Sequence, residues 1–556
     1  MAIWSLIASK LKEILTKMIG ARTIEQTLHV APVISSQMEE AIQRWGDMYK
    51  NQAPWLHEPT FNDKSRVVSL GLPAMIASEK ARMALLELNS EITTPTKEVE
   101  IPNPEYPAEP KTILQDGKEV PVPTAQVPQT ITEDRPVSNT KRAEYLELQY
   151  KKLKKQLRKQ IEYGIAKGGL VIKPYVVMSK DLNADYSADI EFDFIQADCF
   201  YPLAFDASGH ITEAAFLQTR IQQNIVYRRL EYHKWENNTV RVINKAFKST
   251  NNAQASSDMV GVDLGQEIPL TEVNEWKDLS PSTTIANVKK PMFAYFKMPE
   301  ANTVDPSSPL GVSGFSRAEE LIKDADIQYS TLLWEYEGGS LAIDIDRDAL
   351  SFFTDAQGNQ HQVMSKLQER LYRPIDLGES DTYQPYTPTL RDANYIQGLN
   401  SILMRIEDVT GLSRGTLSDP VEEARTATEL KILKQRSYQT NADIQTAIED
   451  AIKDVIYIMD VYCTLYKITP EGEYDVNFEW DDSIITDIDE ELNKRILLQQ
   501  NGLASKLENR MWYFGETERQ AKEALAKIDD ENRQQMEENM MFSQDFNDVN
   551  EGSVNQ

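Results

Sequence analysis

The hydrophobic pattern changes period several times along the chain, and each change predicts an element. Residues 1 to about 92 read mainly as helices. The run "NDKSRVVSLGLPAMIASEKARMALLE" spaces apolar positions three and four apart on either side of Pro73. The helical period returns at about Lys141, where Leu146, Tyr150, Leu153, Leu157 and Ile161 form a buried stripe. From "GGLVIKPYVVM" the period becomes two. It continues through "ADIEFDFIQADCFYPLAFD", "EAAFLQTRI" and "NIVYRRLEYHKWENNTVRVINKAFKS", with Asn237-Asn238 as a hairpin turn. "KKPMFAYFKMP" is a further strand signal. Helical segments flanking an antiparallel β middle make the fold class α+β.

The second half is mostly helical. Ser316 with Glu319 predicts a capping box, and Leu321, Ala325, Tyr329, Leu332 and Tyr336 trace one face of the helix that follows. "LAIDIDRDALSFFTDAQGNQHQV" reads as a short β unit turning at Gly358-Asn359, and a helix over 391–410 buries Leu399, Ile402, Ile406 and Val409. A second capping box, Thr426 with Glu429, opens the longest helix signal, running to about Lys467 with Ile444, Ile448, Ala451, Val455, Met459 and Tyr462 as its seam. At 1.5 Å per residue it is on the order of 60 Å long, more than a compact domain needs, so part of it is expected to pack on neighbouring subunits. "YDVNFEWDDSIITDIDEEL" predicts a strand and an acidic helix start. A helical cluster and a polar, disordered tail follow.

Composition changes this picture in three places. The Pro-rich stretch 93–140 lacks a helical period and predicts a mobile surface loop with one short hairpin at Asp116-Gly117. The net charge of −28 argues against a protein that reads DNA grooves, though not against DNA as cargo. Lys151, Lys152, Lys155, Arg158 and Lys159 nevertheless gather off the buried stripe of their helix. A solvated face balancing acidic neighbours is the favoured reading, and a contact with DNA or an acidic partner is the alternative. The lone Cys199 and Cys463 fit a reducing compartment without a disulfide or Cys-based zinc site. No apolar run is long enough to span a membrane, and "MAIWSLIASKLKEILTKMIG" reads as an amphipathic helix docked on protein, with peripheral membrane contact as the lesser alternative.

Catalytic templates fail one by one. Gly411-Leu-Ser413-Arg-Gly415 spells G-x-S-x-G, but a nucleophile elbow needs a strand before the serine, a helix after it and a downstream histidine. Here a helix precedes, a loop follows, and His29, His57, His210, His233 and His361 are all upstream. No G-x-x-x-x-G-K-[ST] occurs to cradle phosphate. Asp344, Asp346 and Asp348 have calcium-loop spacing, yet Ala349 stands where the turn glycine belongs. Glu479, Asp481, Asp482, Asp487, Asp489, Glu490 and Glu491 could serve two metals, but read better as helix-start charge and solvated surface. The expectation is a protein with no catalytic residues, no metal and no cofactor.

In their order, "IEYGIAKGGLVIKPYV", "PLGVSGFSRAEELIKDADIQYS", "TGLSRGTLS" followed by "RTATEL", "FEWDDSIITD" and "NGLASKLENRMW" resemble the portal proteins of tailed bacteriophages, in the group common among phages of Gram-positive bacteria. The resemblance spans nearly the whole chain. It implies a ring oligomer, usually dodecameric, at the capsid vertex, through which double-stranded DNA enters and leaves. It also implies the portal fold: an antiparallel β wing (1–315, with the strand near 474–480), stem helices (316–340 and 391–410), a small β/α clip (341–390), a tunnel loop (411–425), a long wing-crossing helix (within 426–486), a helical crown (487–530) and a tail (531–556). The 93–140 segment is longer than that family pattern. Ser413, Arg414, Thr416, Ser418, Arg425 and Lys431 are the candidate channel residues, with helix capping or pairing to Glu422 and Glu423 as their alternative role. The implied partners are further copies of the chain, DNA held without sequence preference, the terminase large subunit, scaffold and major capsid proteins and a head–tail adaptor, with no membrane. Assembly in the host cytoplasm and residence in the virion follow. A minor capsid or scaffold protein, or a metal-dependent nucleic-acid-processing enzyme, would be the alternatives.

Overall fold

The computed structural model describes the chain except for residues 1–22, 32, 58–66, 87, 103–111, 116–117, 122–129, 181–185, 224, 250–263, 340–341, 347–351, 355–356, 358–359, 363–371, 376–382, 387–388, 420–426, 481–487, 519 and 534–556. The amphipathic N-terminal segment and the carboxylates at 481–487 therefore lie outside the described residues. The chain divides into two compact units, Met1–Glu479 and Trp480–Gln556.

In the first unit, α1 (Ile24–Leu28), α2 (Ser36–Tyr49) and α3 (Leu72–Leu85) come first. Thr23 and Gln26 make a reciprocal capping box on α1, and Ser35 caps α2 through the Met38 amide at 3.3 Å. Pro73 stands in the first turn of α3, where its missing N–H leaves no bond unmade. The 93–140 stretch departs from the expected loop. After β1 (Leu88–Thr93), β2 (Thr96–Pro102) pairs with β5 (Thr130–Pro136), and β3 (Thr112–Gln115) pairs with β4 (Lys118–Pro121) between them. Pairing of Gln115 with Lys118 agrees with a hairpin at 116–117, whose residues are not described. Prolines sit at the strand ends, where a missing donor is tolerated, so composition hid a ladder.

Helix α4 (Lys141–Lys167) buries the expected stripe, with Leu146, Tyr150 and Leu153 fully enclosed. It ends at Gly168, whose φ of +87 is left-handed and whose absent Cβ would meet the Gly311 carbonyl oxygen at 2.5 Å. That turn launches β6 (Gly169–Lys180), which pairs with β7 (Tyr186–Gln196). Then come β8 (Phe200–Phe205), β9 (Ile211–Gln222), β10 (Ile225–Glu236), β11 (Thr239–Ser249), β12 (Gln266–Ile268), β13 (Ser282–Ala286) and β14 (Ala294–Lys297). One sheet runs β12-β11-β10-β9-β8 with β13 also on β11, and another runs β14-β6-β7; their described pairings are antiparallel. Asn237 and Asn238 hold φ of 51 and 56, the two-residue hairpin turn their amides favour.

These sheets enclose a charge cluster that no pattern announced. Glu231 is buried and meets Lys173 at 2.8 Å, Arg229 at 3.0 Å and His233 at 2.7 Å. Burial alone would raise the Glu231 carboxyl, but Lys173, His233 and Arg229 outweigh it and hold the group well below its ordinary 4.5. Burial depresses His233 below 6.5, only partly offset by Glu231, so the imidazole is neutral at neutral pH. Both depressed groups stabilise the fold above their unfolded values. That stability falls first below pH 6.5, as the unfolded chain takes up the histidine proton, and again below 4.5 for the carboxyl. Melting temperature against pH is expected to show both steps. His233→Gln should remove the upper one, and an unchanged profile would show that His233 does not contribute to it.

The second half of the unit continues with a 3₁₀ turn at 316–318 and α5 (Glu319–Gly338). The Ser316–Glu319 capping box does not form. Ser316 Oγ is buried without a hydrogen bond, and Glu319 instead accepts from Arg44 Nε at 2.7 Å and Trp45 Nε1 at 2.5 Å. A tertiary contact with α2 outcompetes the local cap. Strand β15 (Ala342–Asp346) follows, then β16 (Phe352–Thr354), β17 (Gln360–Gln362), β18 (Tyr372–Ile375) and β19 (Tyr383–Tyr386). β16 and β17 form the predicted hairpin, with its turn at 358–359 outside the described residues, and β15 lies between β18, parallel, and β19, antiparallel. Then come α6 (Asp392–Thr410), α7 (Ala427–Leu465) and β20 (Asp475–Trp480), which returns to pair with β1. The cap at Thr426 lies outside the described residues. The seam residues Ile444, Ile448, Val455 and Met459 are fully buried, so α7 crosses the main core.

The second unit holds α8 (Ile488–Gln500), α9 (Lys506–Phe514) and helical residues at 520–533. A capping box of Ser505 with Glu508 starts α9, and the Arg495 guanidinium lies 4.3 Å from the Trp512 ring centre. Among the described residues, no helix is long and apolar enough to cross a membrane.

Candidate functional site

Helices α5 and α6 pack on each other, and the small β unit lies between them in sequence. Glu335 fastens their ends, accepting from Arg391 Nη2 at 2.8 Å and Nε at 3.1 Å. At its other end α6 stops at Gly411, whose φ of +76 lets the Leu412 amide reach back to the Glu407 carbonyl at 3.0 Å. A Cβ at Gly411 would stand 2.5 Å from Thr440 Oγ1 on α7, so the bend needs glycine for both shape and clearance.

The loop that follows is built around Glu407, in the last turn of α6 and fully buried. Its carboxylate accepts from the amides of Gly415 at 3.3 Å, Leu417 at 2.5 Å and Ser418 at 2.9 Å, and from Ser418 Oγ at 2.8 Å. A negative charge at a helix C-terminus opposes the dipole, and these converging donors offset that cost. Two outer contacts complete the bracing. Arg414 grips Asp408 with Nε at 3.1 Å and Nη2 at 2.9 Å, and the Asp419 amide donates to Asn400 Oδ1 at 2.8 Å. Leu412 is buried in the core and Leu417 packs against it. The loop is thus an ordered extension of α6.

The candidate residues separate accordingly. Arg414 is exposed, with its guanidinium on Asp408. Ser413 and Thr416 are half-buried, and Thr416 Oγ1 donates to the Ser413 carbonyl at 2.6 Å, a local turn bond. Ser418 is 6% exposed, with its hydroxyl on Glu407 at 2.8 Å. Arg425 lies outside the described residues, and Lys431 stands on α7, its backbone alone described. The structure brings Ser413, Arg414, Thr416 and Ser418 into one braced loop. A helix, not a strand, precedes Ser413, so the G-x-S-x-G spelling does not make a nucleophile elbow. Glu407 escaped the sequence reading; its one available signal was a carboxylate placed against the helix dipole.

A family model described as phage portal protein, SPP1 Gp6-like, matches residues 128–538 of the 556. The chain belongs to the phage portal protein family. No protein among the curated sequences matches it. The match takes in the helix pair, the β unit between them, the braced loop and α7. A portal protein is a structural component of the phage virion, the head–tail connector that serves genome packaging. The mixed helix and antiparallel-sheet architecture is that of an α+β portal fold. Within this portal protein, the proline-rich ladder at 96–136 lies mostly before the matched residues.

Proposed function

We infer that this portal protein closes into a ring, a dodecamer, at the unique capsid vertex and conducts double-stranded DNA in and out of the head. The observation that carries the reading is the order helix, β unit, helix, braced loop, long helix. Helices α5 and α6 are fastened to each other through Glu335 and Arg391, and the loop at 411–419 is braced on Glu407. A conduit must not hold its cargo: each phosphate contact releases counterions and adds affinity that resists movement. An acidic chain of net charge −28, with Arg414 already tied to Asp408, supplies such a wall. In this reading residues 1–315 with β20 form the wing, 316–340 and 391–410 the stem, 341–390 the clip, 411–425 the tunnel loop and 487–530 the crown. Terminase docks on the clip, scaffold and major capsid proteins meet the wing during assembly in the host cytoplasm, and a head–tail adaptor replaces the terminase when the head is full.

Deletion of residues 413–424 tests the reading. Rings are expected to survive, seen by negative-stain imaging, while nuclease-protected DNA in heads is lost. Normal packaging by such rings would remove the loop from the mechanism.

A further inference from the structure

Four cations on α4 have no carboxylate partner among the described residues, in a chain whose net charge is −28. Lys154, Lys155, Arg158 and Lys159 occupy neighbouring turns, and among the described residues no carboxylate lies within 4.0 Å of any of them. Their helix neighbours are matched, Lys151 with Glu147 at 3.2 Å and Lys152 with Asp189 at 2.7 Å. Lys154 Nζ instead donates to the Ser90 carbonyl at 2.8 Å and lies 5.2 Å from the Tyr150 ring centre, contacts that aim the ammonium without neutralising it. Beside this row, α3 and α4 leave a groove of about 280 Å³, floored by Leu86, Leu88 and Leu157 and rimmed by Lys154, Arg158 and Arg82, the last already paired with Glu79 at 2.6 Å. Leu86 is 59% exposed.

Copies of a protein this acidic repel one another, and ring closure is head-to-tail, so two different patches of each copy must meet. A contact that offsets the repulsion sets cations of one copy against the carboxylate surplus of the next. An apolar floor with a cationic rim fits a protein segment on both counts. A phosphate backbone would use the rim and leave the leucines wet.

We propose that the α3–α4 groove is one half of the contact between neighbouring copies in the ring. It takes from the adjacent copy a segment bringing carboxylates and an apolar side chain. The proposal rests on the portal reading and deepens it.

The test is Lys155→Glu with Arg158→Glu in the full chain. Both side chains are exposed, so the variant folds, with circular dichroism and melting temperature as in the parent. Native mass spectrometry over a dilution series is expected to show the half-assembly concentration rising about tenfold or more, because like charges then face each other. A photoreactive residue at Leu86 is expected to join two copies covalently within parent rings. Unchanged assembly of the variant, or rings that give no copy-to-copy adduct, would overturn the proposal while leaving the portal reading intact. If the reversal spares assembly but abolishes retention of a short DNA duplex, the face belongs to nucleic acid and the proposal falls. A parent chain that forms no rings at all strikes the portal reading itself.

Discussion

Replacing Arg142 by methionine is expected to lower the unfolding free energy of this portal protein by about 3–5 kcal/mol, the range for breaking a buried ion pair from one side. Arg142 is 1% exposed at the start of α4 and gathers the far end of α7. Its Nη1 bonds the Asp460 carboxylate, the Asp460 carbonyl at 3.0 Å and Thr464 Oγ1 at 3.0 Å. Nε and Nη2 take the carbonyls of Pro470 at 3.1 Å and Thr469 at 3.2 Å. Burial pushes the Asp460 carboxyl above its ordinary value even with the guanidinium beside it. Removing the guanidinium takes a donor from that carboxylate, three carbonyls and the Thr464 hydroxyl. Methionine keeps the stem's bulk, so the loss reports hydrogen bonds and charge, not a cavity. Lysine is expected to recover little, because one ammonium cannot span acceptors on both sides. Urea unfolding measures the loss. A decrease below about 1 kcal/mol would mean the network contributes no more than an ordinary substitution.

The second large effect is local. Glu407→Ala removes the acceptor of three amides and one hydroxyl at once. Ser418 is buried, Leu417 half-buried and Gly415 exposed; a buried donor left unpaired costs about 1–3 kcal/mol, so the braced loop should open instead of bearing that cost. Hydrogen exchange at Leu417 and Ser418 is expected to accelerate at least about tenfold, the factor 1.4 kcal/mol gives, while amides in the middle of α4 keep their rates. Arg414→Ala should do far less, because its pair with Asp408 is solvent-facing. Unchanged exchange in Glu407→Ala would show that Leu412 and Leu417 alone hold the loop.

Much of this architecture was legible in the chain because burial leaves a periodic trace. The α4 stripe, the α7 seam, the Asn237-Asn238 turn and the Asp116 and Gly358 hairpins each depend on residues near one another in sequence. Local geometry converts such spacing directly into a face or a turn. The loop at 411–419 was legible in place, between two helical periods with Gly411 at the bend, but not in its workings.

What tertiary structure alone decided is which polar groups meet. Ser316 and Glu319 spell a cap, yet Glu319 bonds Arg44 and Trp45 from α2, because a charge-assisted bond across elements outweighs a local one. Proline content hid the β2–β5 ladder, which pairs residues as far apart as Thr96 and Pro136. The Ser418 hydroxyl meets Glu407 and the Arg142 guanidinium meets the end of α7, contacts that no local pattern announces. Periodicity records how much of an element is buried; the partner of a buried charge is chosen by which distant segment arrives there, and no local spacing encodes that.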